Sequence, residues 1–144
     1  MDQRIIDFIN DQTSLTLCTC NLDEPYCANC FYAFDCISES LIIKSNSETR
    51  HIKEALLNHK LAGTILPNKM QIGKIKGIQF SGDFRNPGEQ ESKICKEIYY
   101  ARYPFARAFA GDFWLIQLSA IKFTDNTLGF GKKILWDRMK SILN

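Results

Sequence analysis

The stretch Leu41-Ile42-Ile43-Lys44-Ser45-Asn46-Ser47-Glu48-Thr49-Arg50-His51-Ile52 organises the rest of the chain. Its first four residues form a short apolar run that predicts a strand, and residues 53–58 continue as a helix, so a strand passes directly into a helix. The first turn of a helix has backbone N–H groups without intrahelical partners and carries partial positive charge. The sequence therefore predicts a natural position for an anion between this strand and this helix.

The side chains around that turn are suited to a phosphate group. They include the hydroxyls of Ser45, Ser47 and Thr49, the guanidinium of Arg50 and the imidazole of His51. Such a set can donate to several phosphate oxygens at once. The alternative interpretation is that Ser47 simply caps the helix and that Arg50 and His51 lie on its solvated face.

Length and composition predict an ordinary globular chain. We expect residues 1–144 to form a single domain with a sizeable core. The 18 basic residues are interspersed with 16 acidic ones, for a net charge of +2, which does not indicate a nucleic-acid partner. The first residues lack the apolar core of a signal peptide, and no apolar run is long enough to cross a bilayer. We expect a cytoplasmic protein without a membrane partner.

Six cysteines raise the question of a metal site or of disulfides. If both cysteine-containing segments are strands, Cys18 and Cys20 share a face, whereas Cys27 and Cys30 point to opposite faces. Four sulfurs then do not converge on one ion. We therefore predict no metal and reduced, mostly buried thiols, with a zinc protein as an alternative.

The hydrophobic pattern predicts a mainly β protein. Strands are expected at residues 14–20, 26–34, 41–44, 61–66, 72–84 and 113–124, and helices at 4–10, 53–58 and 89–103. Glycines recur within the strand at 72–84, where they mark bends that curl a sheet into a small barrel. The fold class is a β-barrel with peripheral helices: six to seven mostly antiparallel strands with two or three helices.

Alternation along the last long strand, residues 113–124, predicts which of its side chains share a face. Strict alternation places Trp114 and Leu118 on the same side as Ala120 and Lys122, with the far end of that side polar.

Three segments of the sequence identify a known group of proteins. They are residues 27–35, which begin Cys-Ala-Asn, the Thr49-Arg50-His51 motif, and residues 121–133. The chain resembles the FMN-binding split β-barrel proteins related to pyridoxamine 5'-phosphate oxidase, and within them the small bacterial YhbP-like family. The likeness covers nearly the whole chain, and the segment 121–133 is specific to that family. The resemblance implies a homodimer with FMN sites at the subunit interface.

The resemblance also implies roles for individual residues. The phosphate of FMN would be held by Ser45, Thr49, Arg50 and His51. The second strand would pack against the flavin ring and make backbone contacts to it through Asn29, Cys30 and Phe31. Gln79 would form a hydrogen bond with the edge of the ring. Trp114 and Lys122 would contact the ring from the partner subunit. The alternatives are a solvent-facing Gln79, a core position for Trp114 and a solvated Lys122.

These features favour a flavin-dependent oxidoreductase that acts on an unidentified small molecule. No residue stands out as an obligatory acid, base or nucleophile, which suits flavin chemistry because the cofactor carries the hydride and the electrons. The C-terminal segment lacks the Arg-x-His arrangement that pyridoxamine phosphate oxidases use on their substrate, which argues against that substrate. The alternative is a binding module on the same barrel for a phosphorylated or tetrapyrrole ligand, with or without flavin.

Overall fold

The computed structural model describes residues 1–128 and 132–142, and strands dominate it. The strands are β1 Ser14–Asn21, β2 Glu24–Asp35, β3 Ser40–Ser45, β4 Lys60–Ile65, β5 Lys76–Arg85, β6 Asp112–Asp125 and β7 Lys133–Asp137. Every pairing between them is antiparallel. Because β3 also pairs with β6, the first six strands close into a ring, and β7 extends the sheet beyond β6. The predicted β-barrel is confirmed.

Four α-helices surround the barrel in the described part of the chain: α1 Gln3–Asp11, α2 Arg50–Leu57, α3 Glu89–Arg102 and α4 Arg138–Ile142. A 3-10 turn follows α3 at Pro104–Ala108. The prediction of two or three helices missed α4, which begins directly after the last strand. Its start is favoured locally, because the carboxylate of Asp137 accepts a hydrogen bond from the backbone N–H of Met139 at 3.0 Å.

The core has two parts, one inside the barrel and one outside it. The larger part fills the barrel and includes the buried stripes of α1 and α2, represented by Ile5, Ile9, Ile52 and Ala55. The smaller part lies between α3 and the outer surface of the sheet. Helix α2 thus packs on the barrel with its first turn next to the end of β3, which positions the segment from Ser45 onward.

A bulge in β6 decides which of its residues face inward. The register between β5 and β6 skips Ser119. Before the bulge, Trp114 and Leu118 are buried in the barrel; after it, Ile121 is buried and Lys122 is half-exposed. The prediction that Trp114 and Lys122 share a face was therefore wrong, because one extra residue inverts the alternation of side chains.

Glycine allows two close approaches of the barrel backbone. A Cβ on Gly63 would lie 2.4 Å from the carbonyl oxygen of Thr16, and one on Gly82 would lie 2.7 Å from that of Gln117. The prediction that glycine bends curl the sheet holds at Gly82, which lies at the bulge. Gly73 instead belongs to a connection before β5, which begins at Lys76 rather than at residue 72.

The cysteines are less buried than predicted. Only Cys95 is buried, Cys18 and Cys30 are half-buried, and Cys20, Cys27 and Cys36 are exposed. The predicted facing of the β2 cysteines is correct, since Cys27 is on the outer surface while Cys30 packs against the barrel core. The prediction of mostly buried thiols was wrong because the outer face of β1 and β2 is exposed at Cys20 and Cys27.

Candidate functional site

A small polar cluster lies where β3 passes into α2. The imidazole Nε2 of His51 lies 3.0 Å from Ser45 Oγ and 3.4 Å from Thr49 Oγ1, and the two hydroxyls are 3.3 Å apart. Cys30 approaches from β2, with its Sγ 4.0 Å from the same imidazole nitrogen. The fold therefore brings together four of the residues predicted for the site.

Helix α2 begins without a side-chain cap. Thr49 is its N-cap residue, yet its side chain makes no capping hydrogen bond, because Oγ1 donates instead to the carbonyl oxygen of Asn46 at 2.8 Å. The alternative in which Ser47 caps the helix is not what the structure has, since the helix starts two residues later than such a cap would require. The first-turn N–H groups of α2 thus lie beside the polar cluster without a cap from Thr49.

Arg50 turns away from this cluster toward the β1–β2 hairpin. Its Nε donates to Glu54 Oε1 at 2.6 Å, its guanidinium lies 4.3 Å from the centre of the Tyr26 ring, and a terminal nitrogen is 3.8 Å from Glu24 Oε2. Thr19 donates to the other Glu54 oxygen at 2.6 Å. The bonds from Thr19 and then Arg50 hold the pKa of Glu54 below its usual value. About half of the Arg50 side chain remains exposed, which leaves it donors for a further anion.

Burial keeps the titratable groups of the cluster uncharged. It raises the pKa of the Cys30 thiol to about 11 and lowers the pKa of the His51 imidazole. A neutral imidazole and a protonated thiol do not form the ion pair of an activated cysteine nucleophile. The cluster is suited to binding through hydroxyls, imidazole and backbone N–H groups.

Trp114 supports the cluster from within the barrel. Its indole Nε1 donates to the carbonyl oxygen of Ser45 at 3.0 Å, and its ring stacks on Phe84 with the centroids 5.4 Å apart. The side chain is only 4% exposed. Trp114 is therefore a core residue, which was the alternative to a flavin contact. Its link to the candidate site is the hydrogen bond to Ser45 of its own chain.

Three other predicted residues lie in one row across the outer face of the sheet, which we call the outer row. The row follows directly opposed positions on neighbouring strands: Asn29, Thr16, Thr64, Gln79, Lys122 and Leu135. Thr16 donates to Asn29 Oδ1 at 2.9 Å. Gln79 is exposed, which agrees with the alternative that it faces solvent, and Lys122 is half-exposed beside it. Sequence reasoning missed Thr16 and Thr64, because only the strand register reveals a cross-strand row.

An open strand edge connects the polar cluster with the outer row. Strand β3 pairs with β2 only from Tyr32 to Asp35. No described strand pairs with that edge of β2 at residues 24–31, so its backbone groups are available there. Cys30 faces the polar cluster and Asn29 faces the outer row. The same edge therefore borders both groups of predicted residues.

Phe31, the remaining predicted residue, lies on the outer face of this edge. Its ring is 52% exposed and contacts Tyr103 and Phe105, with centroids 5.7 and 6.4 Å away. It offers a partly exposed aromatic surface at the end of the open edge.

Other features bear on the range of possible sites. Within residues 1–128 and 132–142, no three His, Cys, Asp or Glu side chains gather as metal ligands would. None of the helices described combines the length and apolar character needed to cross a membrane. Gly129, Phe130 and Gly131, which belong to the family-specific segment at 121–133, lie outside the described residues.

Solved structures with the same fold define the class of this protein. A heme-binding protein from Mycobacterium smegmatis superposes with a TM-score of 0.77 at 10% identity, covering 90% of this chain and 55% of that one. A FAD-binding protein from Mesorhizobium loti gives a TM-score of 0.71 at 11% identity, covering 87% and 94%. The chain is a split β-barrel protein. Identities this low show the shared fold alone.

Sequence relatives place the chain within a family. No family profile matches it. The UPF0306 protein YhbP of Salmonella arizonae is 39% identical over 130 residues, which cover 90% of this chain and 88% of that protein. The chain belongs to the UPF0306 (YhbP) family, which confirms the resemblance found in the sequence.

Proposed function

We propose that this protein binds FMN and uses it as an oxidoreductase acting on a small molecule. The observation that carries the proposal is the start of α2, which has no side-chain cap and lies beside the hydroxyls of Ser45 and Thr49 and the imidazole of His51. Backbone N–H groups at a helix start bind phosphate favourably. Arg50 is the first residue of the same helix, and although its guanidinium is paired with Glu54, about half of its side chain is exposed and keeps donors for the phosphate.

The open edge of β2 suits the rest of the cofactor. It leads from the polar cluster to the outer row, where Asn29, Gln79 and Lys122 present amide and ammonium donors. FMN, when bound, supplies the hydride and electron transfer. In this proposal the amide of Asn29 orients the ring bound at this edge. Gln79 and Lys122 lie three and four strands further along the row, roughly 14 and 19 Å from Asn29 at one strand spacing each. They therefore contact the ring bound by the other copy of a homodimer, where they stabilise the negative charge that grows on reduction. Phe31 offers an apolar surface beside the ring.

A homodimer is part of the proposal, as the resemblance implies. The outer row ends at Leu135, whose apolar side chain is 74% exposed in the single chain. A second copy lying over this end of the row would cover Leu135 and place its own FMN site near Gln79 and Lys122. Light scattering of the purified protein tests this point, because a monomeric mass at micromolar concentration would contradict the dimer.

The decisive experiment is a titration of the purified protein with FMN and, in parallel, with riboflavin. Flavin fluorescence and the visible absorption spectrum report binding. We expect FMN to bind more tightly than riboflavin, because riboflavin lacks the phosphate that the start of α2 would hold. A protein that is colourless as purified and binds neither flavin would overturn the proposal. If flavin binds, reduction by NADH or NADPH separates an enzyme from a flavin carrier.

A tetrapyrrole-binding module is the second candidate, and one observation favours it. His51 is half-buried, and burial lowers the pKa of its imidazole, which favours the neutral form that ligates iron. Its Nε2 also faces Cys30 at 4.0 Å. Titration with hemin tests this candidate: an intense Soret band that His51→Ala removes would support it, whereas unaltered spectra of free hemin would exclude it.

A further inference from the structure

Two cysteines face each other across the outer surface of the β1–β2 hairpin. Cys18 and Cys27 are directly opposed in the antiparallel register. Their Sγ atoms are 3.0 Å apart. Cys27 is exposed and Cys18 is half-buried. Neither residue belongs to the polar cluster at α2 or to the outer row.

The backbone already has the geometry that a disulfide requires. Opposed residues of antiparallel strands have Cα atoms about 4.5–5.5 Å apart, which lies within the range of about 4.4–6.8 Å found in disulfides. A disulfide bond is about 2.05 Å long, so the sulfurs need to approach by roughly 1 Å. Rotation of the two side chains can supply that movement without a change of strand register.

The hairpin fixes this pairing and no other. Its register runs from Ser14–Phe31 to Asn21–Glu24 and ends in a tight turn, where Leu22 and Asp23 have positive φ angles of 48° and 65°. The remaining cysteines are placed differently: Cys20 opposes Pro25, Cys30 faces the barrel core, Cys36 follows the end of β2, and Cys95 lies on the buried face of α3.

We propose that Cys18 and Cys27 form a reversible intramolecular disulfide by exchange with small disulfides such as oxidised glutathione. The exposed Cys27 thiolate attacks one glutathione sulfur, forms a mixed disulfide and releases one reduced glutathione. The Cys18 thiolate then attacks Cys27 Sγ and displaces the second glutathione. The protons of the two cysteine thiols end on the two glutathione thiols, so one oxidised glutathione is reduced for each disulfide formed.

The surroundings of the two thiols set their order of reaction. Burial, together with the neighbouring Cys27, raises the pKa of Cys18 to about 11, which makes it a poor first nucleophile. Held next to Cys27, it reacts in the second step at a high effective concentration. The neighbouring rung of the hairpin pairs Thr19 with Tyr26, and both residues contact the Arg50–Glu54 pair. The disulfide would therefore form in the register pair directly next to Thr19 and Tyr26, which contact Arg50 and Glu54.

The test exposes the fully reduced protein to oxidised glutathione and counts free thiols. We expect the internal link to account for two thiols per chain without covalent dimers, and dithiothreitol to restore both. Because Cys20 and Cys36 are also exposed, glutathione adducts on them are counted separately by their added mass. Digestion at Asp23 separates the two strands of the hairpin, so mass spectrometry of the unreduced digest should show the two peptides linked. Cys18→Ser should instead hold glutathione at Cys27 as a stable mixed disulfide.

Matched variants identify the pair without relying on one substitution. Cys20→Ser and Cys30→Ser remove neighbouring cysteines of the same strands, and both should still form the internal link. Retention of all thiols by folded wild type, glutathione mixed disulfides as its only product, or loss of the link in Cys20→Ser would overturn the proposal. Far-UV circular dichroism of each variant establishes that it is folded before oxidation.

Discussion

The indole N–H of Trp114 donates to the backbone carbonyl of Ser45 at 3.0 Å, which ties the barrel core to the first residue of the candidate phosphate site. Replacing Trp114 with Phe removes this bond and leaves a part-buried carbonyl without its donor. We expect a loss of about 1–3 kcal/mol in the free energy of unfolding, measured by urea denaturation.

Trp136→Phe is the matched control for that substitution. Trp136 is also buried, at 7% exposure, but its Nε1 has no hydrogen-bond partner among the described residues. The control variant loses packing and part of the ring's contact with the Arg138 guanidinium at 5.6 Å, but no hydrogen bond, and should be destabilised less than Trp114→Phe. Equal losses in the two variants would mean that the bond to Ser45 contributes nothing measurable.

Arg50→Ala should weaken FMN binding by about 10- to 100-fold, because it removes the charge-assisted contact to the phosphate that the proposed function assigns to Arg50. Riboflavin binding should change much less, which separates the loss of a phosphate contact from a general disturbance of α2. Lys53→Ala is the control, since Lys53 lies on the same helix and pairs with an exposed Glu48. Unchanged FMN affinity in Arg50→Ala would place the phosphate elsewhere.

Gln79→Leu should weaken FMN and riboflavin binding by the same factor. The proposed contact is to the ring that both molecules share, and one neutral hydrogen bond contributes about 0.5–1.5 kcal/mol, or roughly 2- to 10-fold in affinity. Gln71→Leu serves as control, because Gln71 is an exposed glutamine outside the outer row. A change in the ratio of the two affinities would contradict a ring contact for Gln79.

His51 should make stability decline as the pH falls through the ordinary imidazole pKa of 6.5. Burial lowers its folded-state pKa below the ordinary value of 6.5, so the unfolded chain binds protons first as the pH falls. Stability is then complete above the unfolded pKa and declines as pH drops below it. His51→Gln should flatten this decline in thermal unfolding experiments. The same decline of stability with falling pH in wild type and His51→Gln would show that the His51 imidazole is not its cause.

Gly63→Ala should destabilise the barrel by about 1–3 kcal/mol, because the added Cβ would meet the backbone carbonyl of Thr16 at 2.4 Å. Gly77→Ala is the contrasting variant. Its Cβ would meet a terminal methyl group of the exposed Leu66 at 3.2 Å, which can move aside, so we expect a change within about 0.5 kcal/mol. Urea midpoints that reverse this order would contradict the close strand approach at Gly63.

Much of the site's local structure was predictable from neighbouring residues. The passage from β3 into α2 and the alternation that separates Cys27 from Cys30 follow from short-range patterns of polarity. The Arg50–Glu54 pair was not predicted, although its i, i+4 spacing on a helix is a sequence signal that would have found it.

The sequence by itself determined the strands, most of the helices, the β-barrel class and the family, because periodicity and motifs act over a few residues at a time. Only the tertiary structure decided that β3 closes on β6, that the bulge at Ser119 moves Lys122 away from Trp114, and that Cys18 lies against Cys27. These relations depend on strand register, which is set by packing between residues far apart in the chain. The grouping of polar residues at Ser45–Thr49 was predictable from the sequence, whereas the open edge of β2 beside it was not.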